Sequence, residues 1–435
     1  MFDTLSPEAA IPPPPQASAP ALSGRHILYI THRLPYPPAG GARVRAFHSI
    51  RHLAACNRVT VAAPVRSAAE ADAAQALAVL GHRVVSAPIG RYRALAQAMW
   101  HAGTARPASV GYFAAPGLGR RLRAALAADP PDLIVVHCSA VAHYAAAWPG
   151  VPKVLDFVDM DSRKWRDYSR VTPWPFKLVH AWEGWTLGRA ERRLARRFDL
   201  SLTATEAEAE SLTALAGPVP NAVVRNGVDL DYFHPTPDPQ PDPPSDPHEP
   251  DHLCFVGRMD YFPNIQAVTD FCREVLPRLH AVRPGMRLSI VGADPAPAVR
   301  ALAADPAVTV TGSVADVRPY VRRAALTVAP LKLARGTQNK ILESMALGVP
   351  VVASDLAARG VDAEPGRHLL AATGAEATAA AILRVLDDPA LRARLAHAGR
   401  DLVASRYRWT TTLAALETAL ADCLSPAASR REDAA

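Results

Sequence analysis

Residues 324–353 read AALTVAPLKLARGTQNKILESMALGVPVVA, and this stretch decides the fold. Apolar residues predict a buried strand at 326–330, and the Val-Pro-Val-Val run begins another strand at 349–353. Between the strands lie a loop and then a helix at 338–347, which Gly348 ends. A strand, a helix and a second strand in this order form the repeating unit of a parallel α/β sheet.

The same alternation of short apolar strands and helical segments continues back along the chain. Strands are predicted at 26–31, 59–63, 83–89, 132–137, 153–157, 200–205, 253–256, 288–291 and 308–311. A break divides them into two sets, because half of the sixteen residues at 235–250 are proline. We therefore predict two doubly wound, Rossmann-like α/β domains that face each other across a cleft, with ligands bound at the carboxyl ends of the strands.

The length and composition agree with two globular domains. The chain has 435 residues, of which 49% are hydrophobic and 20% charged, and this balance excludes a fully disordered protein. The predicted segments are a disordered leader at 1–24, a first domain at 25–234, a proline-rich linker at 235–251, a second domain at 252–405, a C-terminal helix at 406–425 that packs back toward the first domain, and a tail at 426–435.

The charge and the cysteines narrow the range of partners and compartments. A net charge of +7 favours anionic partners, namely nucleotides, phosphorylated lipids, membrane headgroups or nucleic acid. Nucleic acid is the least expected of these, since the basic residues are dispersed and form no recognised basic-aromatic module. No apolar run approaches the roughly 18 residues that span a bilayer. The five cysteines are scattered, which favours the reducing cytoplasm over a disulfide framework or a zinc site.

The helix at 338–347 carries side chains that suit a nucleotide diphosphate. Asn339, Lys340 and Glu343 share one side of it, which we expect to face the cleft. Free N–H groups at the helix start and the Lys340 ammonium would hold phosphate charge, and Glu343 would accept both ribose hydroxyls. The alternative is an ordinary surface ion pair between Lys340 and Glu343, at a spacing of i, i+3.

In the first domain, the loop after the first strand ends with Gly40 and Gly41, at the start of a predicted helix. Paired glycines there let an anion approach backbone N–H groups, although a simple turn also needs glycine. Arg43 and Arg45 follow directly, either as phosphate ligands or as solvated helix residues.

Polar residues also follow two further strands of the first domain. His137 ends one strand, where its imidazole would reach a sugar hydroxyl or developing negative charge; a lone histidine is more often structural. Asp156, Asp159 and Asp161 follow on the next strand, and they would share one face if that strand continued. The alternatives for them are a metal site, hydroxyl recognition and, for Asp161, a helix N-cap.

A segment rich in tryptophan and arginine suggests an additional surface. It contains Trp165, Trp174, Trp182 and Trp185, followed on a predicted helix by Arg189, Arg192, Arg193, Arg196 and Arg197. Aromatic and basic residues together suit a peripheral membrane surface that holds a lipid-phosphate acceptor. The alternative places the tryptophans in the core and the arginines on a solvated helix face.

Several motifs carry a resemblance to a known family. Val256-Gly257-Arg258, the KILESMALGVPVV segment at 340–352 and Arg225-Asn226-Gly227-Val228-Asp229 resemble retaining glycosyltransferases of family 4, which have the GT-B fold. LPYPP at 34–38, DMDSRKW at 159–165 and GRMDYFPN at 257–264 are similar to a subgroup of sugar transferases, associated with exopolysaccharide assembly in bacteria with exosortase (PEP-CTERM) systems.

The resemblance implies that the second domain binds the nucleotide sugar and the first domain the acceptor. The catalytic residues it implies are His137, Arg258 and Lys340. The donor-binding residues it implies are Gly40, Gly41, Arg258, Arg335, Gly336, Thr337, Lys340 and Glu343. The acceptor-side candidates are Arg43, Asp159, Asp161 and Trp165.

Two positions depart from the pattern of that family. Arg335 stands eight residues before Glu343, where the family usually has a second glutamate, so the ordinary carboxylate contact to a sugar hydroxyl is absent. Pro263 stands where a lysine often follows the Gly-Arg motif. These departures leave phosphate binding to Arg258 and Lys340 and leave the donor sugar open.

The implied reaction transfers a hexosyl unit from a UDP- or GDP-sugar to a lipid-linked or growing glycan, with retention and without a cofactor or metal. The alternatives are a nucleotide-sugar epimerase with the same fold and a noncatalytic glycan-binding protein. The expected location is the cytoplasm, either free or bound peripherally to an anionic surface at the inner face of the cell membrane.

Overall fold

The computed structural model describes residues 21–38, 41–235 and 249–425. Gly40, most of the predicted leader, most of the predicted linker and the predicted tail at 426–435 lie outside the described residues. Leu22, within the predicted leader, is instead buried against the first domain, and its N–H donates to Glu417 (2.9 Å).

Two sheets form the centres of the two domains, and the strand pairs in the described part of the chain are parallel. The strands of the first sheet are β1 (His26–Thr31), β2 (Arg58–Val65), β3 (Arg83–Pro88), β4 (Leu133–His137), β5 (Lys153–Val158), β6 (Leu200–Thr203) and β7 (Asn221–Val223). Those of the second are β8 (Glu249–Val256), β9 (Arg287–Val291), β10 (Val308–Gly312), β11 (Ala324–Ala329), β12 (Val351–Ala353) and β13 (Leu370–Ala371). The strand orders are β3-β2-β1-β4-β5-β6-β7 and β10-β9-β8-β11-β12-β13. The prediction of two doubly wound, Rossmann-like domains is therefore confirmed.

Helices cover the sheets. They are α1 (Gly41–Ala54), α2 (Ala68–Val79), α3 (Arg91–Gly103), α4 (Ala108–Tyr112), α5 (Leu118–Ala125), α6 (Asp161–Val171), α7 (Phe176–Ala195), α8 (Glu206–Ala216), α9 (Phe262–Asp270), α10 (Leu276–His280), α11 (Pro297–Arg300), α12 (Arg318–Arg323), α13 (Asn339–Ala346), α14 (Asp355–Ala358), α15 (Ala375–Asp387), α16 (Pro389–Arg406) and α17 (Trp409–Leu424). Short 3-10 segments occupy Ser139–Ala147 and Ala301–Ala304, and a π-helical turn occupies Phe271–Val275. None of these described helices is both long and apolar enough to cross a bilayer.

Each sheet reverses its strand order beside its first strand, between β1 and β4 and between β8 and β11. Crevices open at such positions, at the carboxyl ends of the strands. In the first sheet, Thr31 pairs in register with His137, and His137 with Asp156. The polar residues selected from the sequence therefore lie along one edge of this sheet.

The chain crosses between the domains twice. Val224 is packed in the core of the first domain and Val228 in the core of the second. The return crossing follows Tyr407, which is packed in the second domain, because Trp409 and the rest of α17 are packed in the first. Side by side at these crossings, the Val228 N–H donates to the Tyr407 carbonyl (2.6 Å).

The first crossing therefore precedes residue 234, the predicted end of the first domain. Phe233 already packs on the second domain, and Arg318 of α12 donates to the Tyr232 carbonyl (3.0 Å). Residues 249–251 of the predicted linker belong to β8. Proline runs disrupt regular structure, but a break in regular structure does not have to coincide with a domain crossing.

Candidate active site in the cleft

Helix α13 lies at the carboxyl edge of the second sheet. Ile341 and Met345 are buried in the core beneath it, as the helical pattern predicted. Gly348 follows the helix at φ +72°, and its N–H donates to the Met345 carbonyl (2.9 Å), which satisfies the helix end. Lys340 and Glu343 lie on the other side of the helix and are half-buried.

The Lys340 ammonium lies against the loop that follows β8. Its Nζ donates to Asn264 Oδ1 (2.7 Å) and is 4.3 Å from the ring centre of Phe255. Gly257 permits this approach, because a Cβ there would lie 3.2 Å from Lys340 Nζ and 2.7 Å from the Asn264 amide nitrogen. Residues that are far apart in sequence thus form one wall of the cleft.

Arg258 projects from the same loop, and 52% of its side chain is exposed. Its guanidinium donates to both oxygens of Asp260 (3.0 and 2.8 Å) and to Asp294 (2.7 Å). The hydrogen bond with Asp260 does most to raise the pKa of Arg258. A guanidinium has five N–H donors, so the two aspartates orient it while donors remain for a phosphate.

Burial dominates the titration of the two ionisable residues on α13. It lowers the pKa of Lys340 to about 7 and raises the pKa of Glu343 to about 7, while the charge on each residue opposes the shift of the other. A phosphate beside Lys340 would favour the protonated ammonium again. Pairs of this kind in a cleft are typical of functional sites.

The N-termini of α1 and α13 adjoin across the cleft. A Cβ on Gly41, the first residue of α1, would lie 3.9 Å from Asn339 Nδ2. Asn226, at the first crossing, donates to Asn339 Oδ1 (3.2 Å). Because the first N–H groups of a helix have no partners within it, two adjoining N-termini favour an anion such as a diphosphate.

Arg45 is neither a phosphate ligand nor a solvated helix residue, which were the two alternatives left open by the sequence. Its side chain is buried and forms a bidentate pair with Asp156 (2.7 and 3.1 Å). It also donates to the Val224 carbonyl (2.6 Å) and to Asn226 Oδ1 (3.2 Å). Burial alone would raise the pKa of Asp156, but the charge of Arg45 holds it well below its usual range. Asp156 is thus a buried structural anion, which supports the start of α1 and the first crossing.

Three arginines place positive charge on the first-domain side of the cleft. Arg33 follows β1, Arg66 follows β2, and Arg43 lies in the first turn of α1. Burial lowers the pKa of Arg33, and the charges of Arg66 and Arg43 lower it further. Arg33 also helps to lower the pKa of Asp260 in the second domain, after the larger effect of Arg258. Positive charge therefore lines both sides of the cleft.

His137 is buried at the end of β4 and is stacked on His32, with ring centres 6.1 Å apart. Its Nδ1 lies 3.4 Å from Asp156 Oδ2. Among the described residues, no hydrogen-bond partner is in place for Nε2 of His137 or for Nδ1 of His32. Burial, followed by the effect of His137, lowers the pKa of His32 well below its usual range. Buried polar atoms without partners are costly, so these nitrogens suit ligand hydroxyls.

The three aspartates after His137 do not share one face, contrary to the prediction. β5 ends at Val158, where the pairing with β6 shifts register and φ is +61°. Asp156 turns to Arg45, whereas Asp159 faces the second domain. The prediction was wrong for two reasons. Asp156 and Asp159 are three residues apart, and a strand places residues at that spacing on opposite faces. The strand also ends before Asp159.

The N-cap role proposed for Asp161 is also wrong. α6 begins at Asp161, and its first N–H groups are satisfied by glutamates of other helices: Met160 N–H donates to Glu208 (2.7 Å) and Ser162 N–H to Glu191 (3.2 Å). The Asp161 carboxylate instead lies 3.5 Å from Lys164 Nζ.

Arg335 connects the second domain to the first. Its Nε and Nη2 donate to Asp167 Oδ2 on α6 (2.8 and 2.6 Å), and its Nη1 lies 3.8 Å from Glu208 Oε1 on α8. The guanidinium predicted to bind the donor is therefore engaged with carboxylates across the cleft.

Gly336 and Thr337 form the part of this loop that lies closest to Asp159. Gly336 has φ +58°, and a Cβ there would lie only 1.8 Å from Asp159 Oδ1, so only glycine fits. Asp159 Oδ1 and Thr337 Oγ1 are buried with no hydrogen-bond partner among the described residues. Burial, with smaller contributions from Glu208 and Asp161, raises the pKa of Asp159 to about 7. Two polar atoms without partners thus lie at the loop that precedes α13.

Trp165, an acceptor-side candidate, is half-buried and packs on Tyr168 and His180, with ring centres 5.9 and 5.3 Å away. Tyr168 packs in turn on Phe262 of the second domain (5.8 Å). In the described parts of the chain, no group of three or more histidine, cysteine, aspartate or glutamate side chains is arranged to hold a metal ion.

The sequence analysis missed several residues of the site. His32, Arg33 and Arg66 directly follow β1 and β2, so the rule that ligands bind at the carboxyl ends of strands would have selected them. Asn264 was quoted only as the end of the GRMDYFPN motif, and Asp167 gave no signal. Their contacts were not predictable, because their partners lie 76 and 168 residues away along the chain.

Two family models match the chain, one in each domain. The model described as "Glycosyl transferase 4-like domain" matches residues 40–227, and "Glycosyl transferases group 1" matches residues 250–388. The chain is built from two glycosyltransferase domains.

Similar proteins support this assignment. Glycogen synthase from Mycobacterium tuberculosis (strain CDC 1551 / Oshkosh) is 28% identical over 301 residues, which cover 66% of this chain and 67% of that one. Anabaena Alr3699/HepE in complex with UDP has a TM-score of 0.64 at 18% identity, covering 91% of this chain and 100% of that one. Sucrose-phosphate synthase from Thermosynechococcus elongatus has a TM-score of 0.66 at 18% identity, covering 89% and 96%. These structural likenesses confirm the GT-B fold of this glycosyltransferase.

Proposed function

We propose that the protein transfers a hexosyl unit from a nucleotide diphosphate sugar to a hydroxyl of a lipid-linked or growing glycan, with retention, in exopolysaccharide biosynthesis. The observation that carries the proposal is the convergence of Lys340, Arg258 and two helix N-termini at the cleft that His137 also faces. The positive groups suit the diphosphate, and the unpaired imidazole nitrogens suit the sugar. HepE has been solved with UDP and with UDP-glucose, so uridine donors are the first candidates and GDP-sugars the second.

In the proposed mechanism, the bond between the anomeric carbon and the diphosphate breaks while the acceptor oxygen attacks from the same face. The acceptor proton passes to the departing diphosphate oxygen. Lys340, Arg258 and the N–H groups at the start of α13 stabilise the diphosphate charge more in the transition state than in the ground state. These cations supply the charge that a metal would otherwise supply, so we propose that catalysis needs no metal or other cofactor.

The two domains have separate tasks in this proposal. Glu343 accepts the ribose hydroxyls, and Gly41 faces the diphosphate from the first domain. Gly40, its neighbour in the sequence, lies outside the described residues and keeps the same proposed role. Arg43, Asp159, Asp161 and Trp165 remain the candidates for the acceptor side. Closure of the domains excludes water and limits hydrolysis of the donor.

A donor panel read by thermal shift tests the proposal. A true donor stabilises the protein by mass action, and at 100 times its dissociation constant the gain is about 2.7 kcal/mol. Lys340→Ala and Glu343→Ala should each lose this shift, whereas Lys332→Ala should keep it, because the Lys332 ammonium is already paired with the Asp270 carboxylate (2.7 Å). Failure of every nucleotide sugar to stabilise the wild-type protein would contradict the proposal.

Analysis of the reaction products distinguishes a transferase from an epimerase and from a noncatalytic glycan-binding protein. Incubated with donor and glycan acceptor, the protein should form a product with the anomeric configuration of the donor, and chelation with EDTA should leave the rate unchanged. Conversion of the donor sugar in the absence of acceptor would indicate an epimerase. Glycan binding without any turnover would indicate a noncatalytic protein.

We also propose a cytoplasmic location at the inner face of the cell membrane, where an anionic surface would present a lipid-linked acceptor. Co-sedimentation with inner-membrane vesicles that is lost at high salt would support this location. Recovery of the protein only in the supernatant at low salt would contradict it.

A further inference from the structure

Large exposed apolar side chains of the first domain are concentrated on α3 and on the hairpin of α6 and α7. Tyr92, Met99 and Trp100 project from α3 with exposed fractions of 87%, 69% and 58%. Trp174, Phe176 and Trp185 project from the hairpin of α6 and α7 with exposed fractions of 77%, 61% and 43%. We call these six side chains the apolar face. Such a concentration of large exposed apolar groups marks an interaction surface.

The two parts of the apolar face belong to one rigid surface. The Trp182 indole N–H on α7 donates to the carbonyl of Ala102 at the end of α3 (3.0 Å). The Glu183 carboxylate, also on α7, accepts from the N–H groups of Ala108 and Ser109 at the start of α4 (2.7 and 3.0 Å). These contacts fix α3 and α4 on α7, so that the exposed groups can engage a single partner together.

The exposed charge along α3 and α7 has one sign. The exposed charged residues at 91–106 and 171–197 are Arg91, Arg93, Arg106, Lys177, Arg189, Arg192, Arg193, Arg196 and Arg197. The two carboxylates in these stretches, Glu183 and Glu191, are buried and 5% and 0% exposed. A surface that combines exposed aromatic groups with cations, and turns its carboxylates inward, is complementary to an anionic apolar interface.

Two arginines lie directly on aromatic rings of the face. Arg189 is 4.8 Å from the ring centre of Trp185, and Arg106 is 5.4 Å from that of Trp100. This arrangement places a guanidinium beside each indole, a pairing that suits the boundary between lipid phosphates and acyl chains.

We propose that the apolar face seats the protein on an anionic lipid bilayer and brings the cleft to the membrane surface. α6, which leads into the apolar face at Trp174, borders the cleft, because Asp167 on α6 contacts Arg335 in the loop before α13 and Tyr168 packs on Phe262 of the second domain. The proposal deepens the proposed function by assigning the membrane contact to named elements, including α3, which the sequence analysis did not select. It also removes Trp165 from that contact, since this side chain is half-buried.

Vesicle flotation tests the seating. The full-length protein should float at low salt with vesicles of phosphatidylcholine and phosphatidylglycerol, and not with phosphatidylcholine alone. Trp174→Ser/Phe176→Ser and Tyr92→Ser/Met99→Ser should each weaken binding about tenfold or more, because apolar burial contributes in proportion to area. The matched control is Val79→Ser/Val282→Ser, which changes side chains exposed by 86% and 61% outside the face.

The charge is tested in the same assay. Arg192→Gln/Arg193→Gln should weaken binding to anionic vesicles about 30-fold, at about 1 kcal/mol for each charge near the surface. Arg394→Gln/Arg400→Gln on α16 is the control and should bind as the wild type does. The proposal would be overturned if the control variants failed to float, or if the wild-type protein itself failed to float with anionic vesicles. A dimer in sedimentation velocity that Trp174→Ser/Phe176→Ser abolishes without lipid would also overturn it, because the face would then bind a second copy.

Thermal shift with the nucleotide sugar keeps this test separate from that of the proposed function. Variants of the face lie outside the donor site and should retain the donor-induced shift. A protein that floats but binds no nucleotide sugar would leave the seating intact and reject the proposed reaction. A protein that binds the nucleotide sugar but does not float would reject the membrane contact and leave the proposed reaction intact.

Discussion

Lys340 and Glu343 lie one helical turn apart on α13, and burial moves the pKa of each to about 7. Donor affinity should therefore be greatest near pH 7. Above it, Lys340 in the free protein loses its proton, and a bound diphosphate must restore it, so affinity falls by up to about tenfold for each pH unit. Below it, Glu343 becomes protonated and loses an acceptor for the ribose hydroxyls.

Two substitutions show which residue causes each fall in affinity when UDP binding is measured by calorimetry as a function of pH. Lys340→Arg keeps its charge at all these pH values and should flatten the alkaline limb only. Glu343→Gln should flatten the acidic limb and weaken binding about 10-fold, as expected for a hydrogen bond to a charged group. An unchanged alkaline limb in Lys340→Arg would assign that limb to another group.

Asp159 should make the folded protein less stable as pH rises. Its folded-state pKa of about 7 lies above the usual value, so the stability it contributes is complete below about pH 4 and is lost as pH rises through 7. Asp159→Asn cannot ionise and should exceed the wild type in melting temperature at pH 8 by roughly 2–4 °C for each kcal/mol recovered. At pH 5 the gap should be smaller. An equal gap at both pH values would show that ionisation is not its cause.

Much of the site was predictable wherever local pattern and topology agree. The periodicity of 338–347 predicted which side of α13 is buried, and the strand ends predicted the positions of His137 and Arg258. Arg45 was not predictable, because its burial depends on Asp156 and Asn226, which lie 111 and 181 residues away. The three aspartates near the end of β5 were misplaced for a different reason: Asp156 lies within the strand, Asp159 and Asp161 lie beyond it, and the spacing of three residues between Asp156 and Asp159 does not fit the period of a strand.

Among the secondary-structure elements, α17 most clearly shows the limit of reading domains from sequence order. It follows the second domain in the chain, yet Trp409, Leu413 and Leu420 are buried with Ile27 and Tyr29 of β1. A C-terminal helix that packs back toward the first domain was expected at 406–425, and α17 occupies Trp409–Leu424 with its buried side on that domain. The strands β7 and β13, at the sheet edges, were not predicted, because three and two residues are too few to give a pattern.

Adding one methyl group at Gly227 should destabilise the contact between α17 and the first crossing. A Cβ on Gly227 would lie 2.4 Å from the Trp409 indole, which stacks on His48 with ring centres 4.3 Å apart. Gly227→Ala should therefore lower the free energy of unfolding by about 1–3 kcal/mol through overpacking, as measured by urea denaturation. Gly103→Ala is the matched control, since a Cβ there would have no heavy atom within 4 Å. Equal stability of the two variants would contradict this account.

Closure of the two domains should depend on the pair formed by Arg335 and Asp167. Arg335→Ala and Asp167→Ala should each shift the protein toward an open form with a larger radius of gyration in X-ray scattering. The double variant should add little to either, with a coupling energy of about 0.5–3 kcal/mol in donor affinity. Arg170→Ala is the control, because Arg170 also pairs with Asp167 (3.0 Å) but lies on the same helix. Additive effects of Arg335→Ala and Asp167→Ala would reject a direct coupling.

The hydrogen bond between Val228 and Tyr407 has a mechanical consequence. The two crossings lie side by side and form a hinge between the two domains. A rotation of a few degrees at these crossings displaces every atom of one domain in proportion to the distance of that atom from the crossings. Small changes of backbone angle at 224–228 and 407–409 can therefore open the cleft widely, while neither domain has to deform.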